Sequence, residues 1–162
     1  MEYCCFIPSP LGEILLASNG DAITGLWFSD RRSPEGLVRD DALPIFSLTR
    51  TWLDRYWAGK EPNPQEIPIS LSGTAFALAV WEELKTIPYG KTINYGEIAR
   101  RLAPKSPSGK MSAQAVGGAV GRNPISIIVP CHRVIGSGGK MVGYDGGLHR
   151  KTALLKLEGF IK

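Results

Sequence analysis

Cys131 lies in the run VPCHRVIGSGGKMVGYDGG, residues 129–147, between Pro130 and the pair His132 and Arg133. Three chemistries fit a thiol there: a buried structural cysteine, a metal ligand or a nucleophile. An unperturbed thiol has a pKa of about 8.5, so only a small fraction is thiolate at neutral pH. A nearby base or cation raises that fraction. An inert core cysteine is common, but it does not need His and Arg as neighbours. The loop that follows holds six glycines in the twelve residues 136–147, with one aromatic, Tyr144. That composition suits a wall that comes close to a flat ligand. A tetrahedral metal site needs about four Cys, His or carboxylate ligands at suitable spacing. The chain has two histidines, His132 and His149, and no CxxC, so no metal is expected. A papain-like pair would need a histidine distant in sequence. His132, read as part of an extended segment, would point away from the Cys131 side chain.

The remaining composition narrows the setting. The chain has 162 residues, 43% hydrophobic and 21% charged, as a soluble globular protein of one domain or two small ones would. No apolar run approaches the roughly 20 residues of a membrane span. The N-terminus MEYCCFIPSP lacks the basic and apolar regions of a signal peptide. The expected location is a reducing cytoplasm of bacterial type, with a nucleus as the alternative. Cys4, Cys5 and Cys131 are odd in number and imply no disulfide framework. The charge is uneven. Residues 1–72 carry six Lys/Arg and ten Asp/Glu, whereas residues 73–162 carry thirteen and five. The second half is basic enough to suggest a polyanionic partner, nucleic acid before membrane.

The elements that must position Cys131 follow from the pattern. YCCFIP, GEILLAS and AITGLWFS read as short strands, with Asn19-Gly20 as a hairpin turn. RRSPEGLVRDDALP reads as a loop. In IFSLTRTWLDRYWAG, Ile45, Leu48, Trp52, Leu53 and Tyr56 share a helical face that Gly59 ends. The proline-rich KEPNPQEIP reads as a linker. Beyond it, TAFALAVWEELKTI predicts a helix capped by Thr74 and stopped at Pro88-Tyr89-Gly90. NYGEIARRL predicts a short helix capped by Asn94. SAQAVGGAVGRNP predicts a third, ended by Asn123-Pro124. ISIIVP reads as a buried extended run that delivers Cys131. Helix, turn and helix in a basic segment outline a DNA-binding module. Gly117 and Gly118 sit inside the third helix, at roughly 1 kcal/mol each relative to alanine. With Ala113, Ala115 and Ala119 they make a slim helix. It suits close helix packing or a minor groove, which is only about 6 Å wide.

PCHRV, preceded by GRNP and followed by GYDGGL and LEG, resembles the O6-alkylguanine-DNA alkyltransferases, or methylated-DNA–protein-cysteine methyltransferases. PSPLGEILLA and GTAFALAVWEELKTIPYGKTINYGEIA extend the likeness over nearly the whole chain. The resemblance implies an α+β fold. Residues 1–72 would form a small α/β domain with a short antiparallel sheet. Residues 73–162 would form a mainly helical domain with a winged helix-turn-helix-like motif. It implies a monomer, without cofactor, that binds double-stranded DNA through the minor groove and flips an O6-alkylguanine, with O4-alkylthymine a second candidate. Cys131 would accept the alkyl group irreversibly. His132 would relay its proton through a water, Glu158 would polarise His132, and Tyr95 would donate to N3 of the leaving guanine. Tyr144 and Asp145 would flank the base, and the Cys131 and Val134 carbonyls would accept from its amine. Asn123 would tie the recognition helix to the Cys131 segment, and Arg133 would be structural. Gln114, Ala115, Gly117, Gly118 and Arg122 would face DNA.

The sequence departs from that family at three places. Gln114 stands where an inserting arginine is usual. The turn LAPKSPSGKMSA is longer than usual and adds Lys105 and Lys110 as phosphate contacts. Asp145 stands where a small residue is common. The rival reading, a non-catalytic binder of alkyl lesions, rests on Gln114.

Overall fold

The computed structural model describes residues 1–162 and divides into two compact units, Met1–Leu71 with Pro124–Ile128, and Ser72–Asn123 with Val129–Lys162. None of its helices is long and apolar enough to cross a membrane.

The first unit is built on a four-stranded sheet. β1 (Tyr3–Ile7), β2 (Ile14–Ser18) and β3 (Ile23–Phe28) form an antiparallel meander, in register Tyr3↔Ser18 and Ile14↔Phe28. β2 is central and wholly buried, which explains its unbroken apolar run. At the hairpin only Gly20 takes a positive φ; Asn19 instead accepts from the Asp21 and Ala22 amides through its side chain. The segment read as loop contains a fourth strand, β4 (Val38–Arg39), paired parallel to β1. It is exposed and two residues long, so it leaves no period in the sequence.

α1 (Pro44–Trp57) buries Ile45, Phe46, Thr49, Trp52, Leu53 and Tyr56. Leu48, expected on this face, is 43% exposed. At about 100° per residue it falls past the edge of the stripe, and Thr49 takes the central place by returning its hydroxyl to the Ile45 carbonyl. Gly59, at φ 77, closes the helix: its amide donates to Tyr56 and that of Lys60 to Arg55.

The second unit is mainly helical. α2 (Ala75–Leu84), α3 (Tyr95–Leu102) and α4 (Ala113–Gly121) begin at Thr74, Asn94 and Ser112, whose side chains accept from the Ala77, Glu97 and Ala115 amides. α2 stops at Leu84, short of the expected stop. Trp81 on α2 donates its indole N–H to the Ala119 carbonyl on α4. β5 (Ile93–Asn94) and β6 (Val134–Ile135) pair in parallel, and α5 (Leu148–Leu157) follows. The β5–β6 pair holds the segment just after Cys131 against the start of α3.

Candidate active site

The apolar run before Cys131 is buried, as expected, but it is not a strand. The Ile128 amide donates back to Ser126 around Ile127, which sits at φ 72. The Cys131 amide donates back to Val129 around Pro130, at φ −83 and ψ 67. These are two tight γ-type reversals. Cys131 then opens a single 3-10 turn, Cys131–Arg133. The extended path expected for His132 is therefore corrected. Pro130 lacks an amide and suits the start of such a turn. Asn123, at the end of α4, donates its side-chain amide to the Val129 carbonyl at 2.8 Å.

The turn buries Cys131, His132 and Arg133 together. His132 is wholly buried, and its Nε2 lies 2.6 Å from Glu158 Oε2. Its Nδ1 is buried and has no hydrogen-bond partner within the protein. Glu158, the residue that ends α5, receives more than the histidine. Arg133 donates Nε to Oε1 at 2.7 Å and Nη2 to Oε2 at 3.0 Å. The Gly90 amide donates to Oε1 at 3.1 Å. The Pro88-Tyr89-Gly90 turn thus does more than follow a helix. Gly90 has φ 76, and a Cβ there would lie 3.0 Å from the Glu158 carbonyl, so a side chain at this position is strained.

The charges follow from this packing. Burial opposes the Glu158 carboxylate, but the His132 and Arg133 hydrogen bonds and charges outweigh it and hold its pKa far below the usual carboxylate range. Burial pushes His132 below the ordinary imidazole range, against the pull of Glu158, and the Arg133 and Lys151 charges add to the lowering. A neutral His132 that donates Nε2–H to an ionised Glu158 leaves a lone pair on Nδ1. That is the arrangement of a general base oriented by a carboxylate. The other thiols lie elsewhere, on β1. Burial pushes Cys5 up to about 11 and raises Cys4 as well, which disfavours both as nucleophiles.

Sequence reading missed Lys151. It is wholly buried on α5, and its ammonium donates to the Val134 carbonyl at 2.5 Å and the Val142 carbonyl at 2.7 Å. It ties the middle of the glycine-rich loop, at Val142, to β6 just before that loop, at Val134. Burial lowers its pKa to about 8, with the nearby Cys131 pulling the other way. One lone pair of the Val134 carbonyl is therefore engaged. Tyr95, the first residue of α3, donates its hydroxyl to the Val142 and Gly143 carbonyls at 3.2 and 3.4 Å. Burial raises its pKa, and Cys131 adds to the rise.

Beside Tyr95 opens a groove of about 660 Å³, lined among others by Arg100, Gln114, Gly117, Val142 and Gly143. Tyr144 is half-buried and Asp145 exposed; neither lines the groove. Ala115 and Gly118 are exposed on α4. A Cβ at Gly117 would meet the Tyr95 ring at an ordinary 3.8 Å, so tight helix packing does not demand this glycine. Arg100, Lys105, Lys110 and Arg122 are exposed, and no Asp or Glu occurs between Glu97 and Asp145.

Residues 3–71 match the family model of the 6-O-methylguanine DNA methyltransferase ribonuclease-like domain, and residues 75–160 that of the DNA binding domain. Methylated-DNA–protein-cysteine methyltransferases of Haemophilus influenzae and Mycobacterium leprae are 40% and 44% identical to it. The alignments cover 96% and 98% of this chain and 86% and 93% of those proteins. The crystal structure of Mycobacterium tuberculosis OGT in complex with DNA is 43% identical with a TM-score of 0.85, over 96% of this chain and 92% of that one. The Mycobacterium tuberculosis O6-methylguanine methyltransferase structure is also 43% identical, with a TM-score of 0.83 over 98% and 93%. With its fold and these relatives in agreement over almost its whole length, the chain belongs to the 6-O-methylguanine DNA methyltransferase family.

Proposed function

We propose that this protein repairs O6-alkylguanine in double-stranded DNA by moving the alkyl group to Cys131, once per molecule. The observation that carries the reading is the buried His132, fixed on Glu158 by Nε2 and with its Nδ1 left to accept a proton, in the same turn as Cys131. The thiol proton passes through a water to His132 Nδ1. The thiolate sulfur attacks the alkyl carbon, a C–S bond forms and the C–O6 bond breaks. The electron pair goes to the guanine, where a hydrogen bond donated by Tyr95 to N3 offsets the charge, and the thiol proton stays on His132. The long hydrogen bonds of Tyr95 to the loop carbonyls in the free protein are weak enough to exchange for the base. Tyr144 and the Asp145 backbone flank the base, and the Cys131 and Val134 carbonyls accept from its amine. The chemistry resides in residues 73–162, of which Pro124–Ile128 belong with residues 1–71 to the other compact unit.

The DNA-facing surface is α4 with its preceding turn. Small residues, Ala115, Gly117 and Gly118, give a helix slim enough for a minor groove. Arg122, Lys105 and Lys110 supply phosphate contacts in a stretch free of carboxylates. Gln114 fills the space left by the flipped base, with less stacking and no charge. Asn123 fixes the end of α4 to the nucleophile's segment.

Intact mass and peptide mapping after incubation with a duplex holding one O6-methylguanine test the reading. One methyl group on Cys131, with guanine restored, is expected. Tight binding with no mass change would replace it with the lesion-binder reading.

A further inference from the structure

Glu158 is shared. Its Oε2 accepts from His132 and from Arg133 Nη2, and its Oε1 from Arg133 Nε and the Gly90 amide. Arg133 is itself buried and fixed, with Nη1 on the Ile87 carbonyl at 2.7 Å and its guanidinium over the Tyr89 ring. A carboxylate with one imidazole partner favours a second proton on the ring and works against burial, which disfavours it. A carboxylate already paired with a bidentate guanidinium has its charge met. A second cation beside it would then add unbalanced charge to a buried site that also holds the Lys151 ammonium.

We propose that Arg133 is a positioning residue for the reaction: by occupying Glu158 it keeps His132 neutral, protonated on Nε2, with Nδ1 open to receive the Cys131 proton. The inference rests on the alkyl-transfer reading, but its first test does not. The charged and titratable groups around the ring are Glu158 and Lys151 from the α5 side and Cys131 and Arg133 from its own turn. Of these, Arg133 shares the histidine's own hydrogen-bond acceptor. An arginine in this role is a determinant of proton position, beyond the structural part the sequence suggests.

The chain has two histidines, so nitrogen NMR of the imidazoles is readily assigned, with exposed His149 as an internal reference. Wild-type His132 is expected as the neutral Nε2–H form at pH 7. Arg133→Gln is expected to gain the second ring proton at a higher pH than the wild type, and the acid limb of the alkyl-transfer rate should move up with it by about one pH unit or more. Arg133→Lys keeps the charge, so its ring should stay neutral and its acid limb should stay near that of the wild type. An imidazolium in the wild-type protein overturns the proposal, even if the glutamine variant does not fold. So does a glutamine variant that folds with His132 and the acid limb unchanged. A wild type with neutral His132 but no alkyl transfer sinks the functional reading and leaves the proton assignment standing.

Discussion

The two sides of the site are held differently. On one side, Glu158, His132 and Arg133 lock together through short, buried, charge-assisted hydrogen bonds. On the other, one lysine ties the middle of the glycine-rich loop to the strand before it, and the weak hydrogen bonds of Tyr95 touch the same stretch. On the proposed reading the locked side fixes where a proton sits, a task that tolerates no looseness. On the same reading the loop admits a base and then lets go of it. Rigidity is concentrated where charge is handled, and weak contacts where the substrate must enter.

The comparison can be broken most severely at the locked side. Glu158→Gln removes the anion that orients His132 and leaves Arg133 buried without its counterion. The alkyl-transfer rate at saturating DNA should fall about 100-fold or more, and stability by about 3–5 kcal/mol. A rate within threefold of wild type in a stopped-flow assay would detach His132 from the chemistry.

Lys151→Met probes the other side with a smaller effect. The rate should fall about tenfold, in keeping with misplacement of a loop rather than loss of a reacting group. Its pH signature is separate. The folded ammonium titrates at about 8 and the unfolded one at its ordinary 10.5. Between those values the unfolded chain binds the extra proton, so wild-type stability should rise with pH through that window. Denaturant titrations of the methionine variant should lack this rise; an identical profile would place the titration elsewhere.

Gln114→Arg sharpens the substrate side. It should speed reaction on duplex DNA several-fold and leave reaction with the free alkylated base unchanged. An equal effect on both would mean that residue 114 does not act by holding the duplex open. The smallest change is expected from Lys105→Gln with Lys110→Gln, which should flatten the salt dependence of DNA binding by about two units of slope. An unchanged slope removes the extended turn from the footprint.

Much of this was legible in the sequence because it is local. The Thr74 and Asn94 caps each bind an amide three residues away, and Gly59 closes α1 within its own last turn. The PCHRV and LEG motifs pointed to Cys131, His132 and Glu158 through likeness alone. What stayed hidden is non-local. β4 has too few residues to show a period, and the β5–β6 pair joins residues 41 apart at Ile93 and Val134. The turn at Cys131 replaced an expected extended run, because reversals at Ile127 and Pro130 are set by hydrogen bonds that residue type does not announce.

The sequence by itself determined the motif around Cys131, the starts of α2 and α3 and the basic character of residues 73–162. Only the tertiary structure decided that Arg133 shares Glu158 with His132 across 25 and 26 residues, and that Lys151 reaches carbonyls 17 and 9 residues away. A cap is chosen by its neighbours along the chain, so its type reveals it. A buried cation is chosen by whatever folding brings beside it, and an arginine or lysine in the sequence carries no mark of that partner.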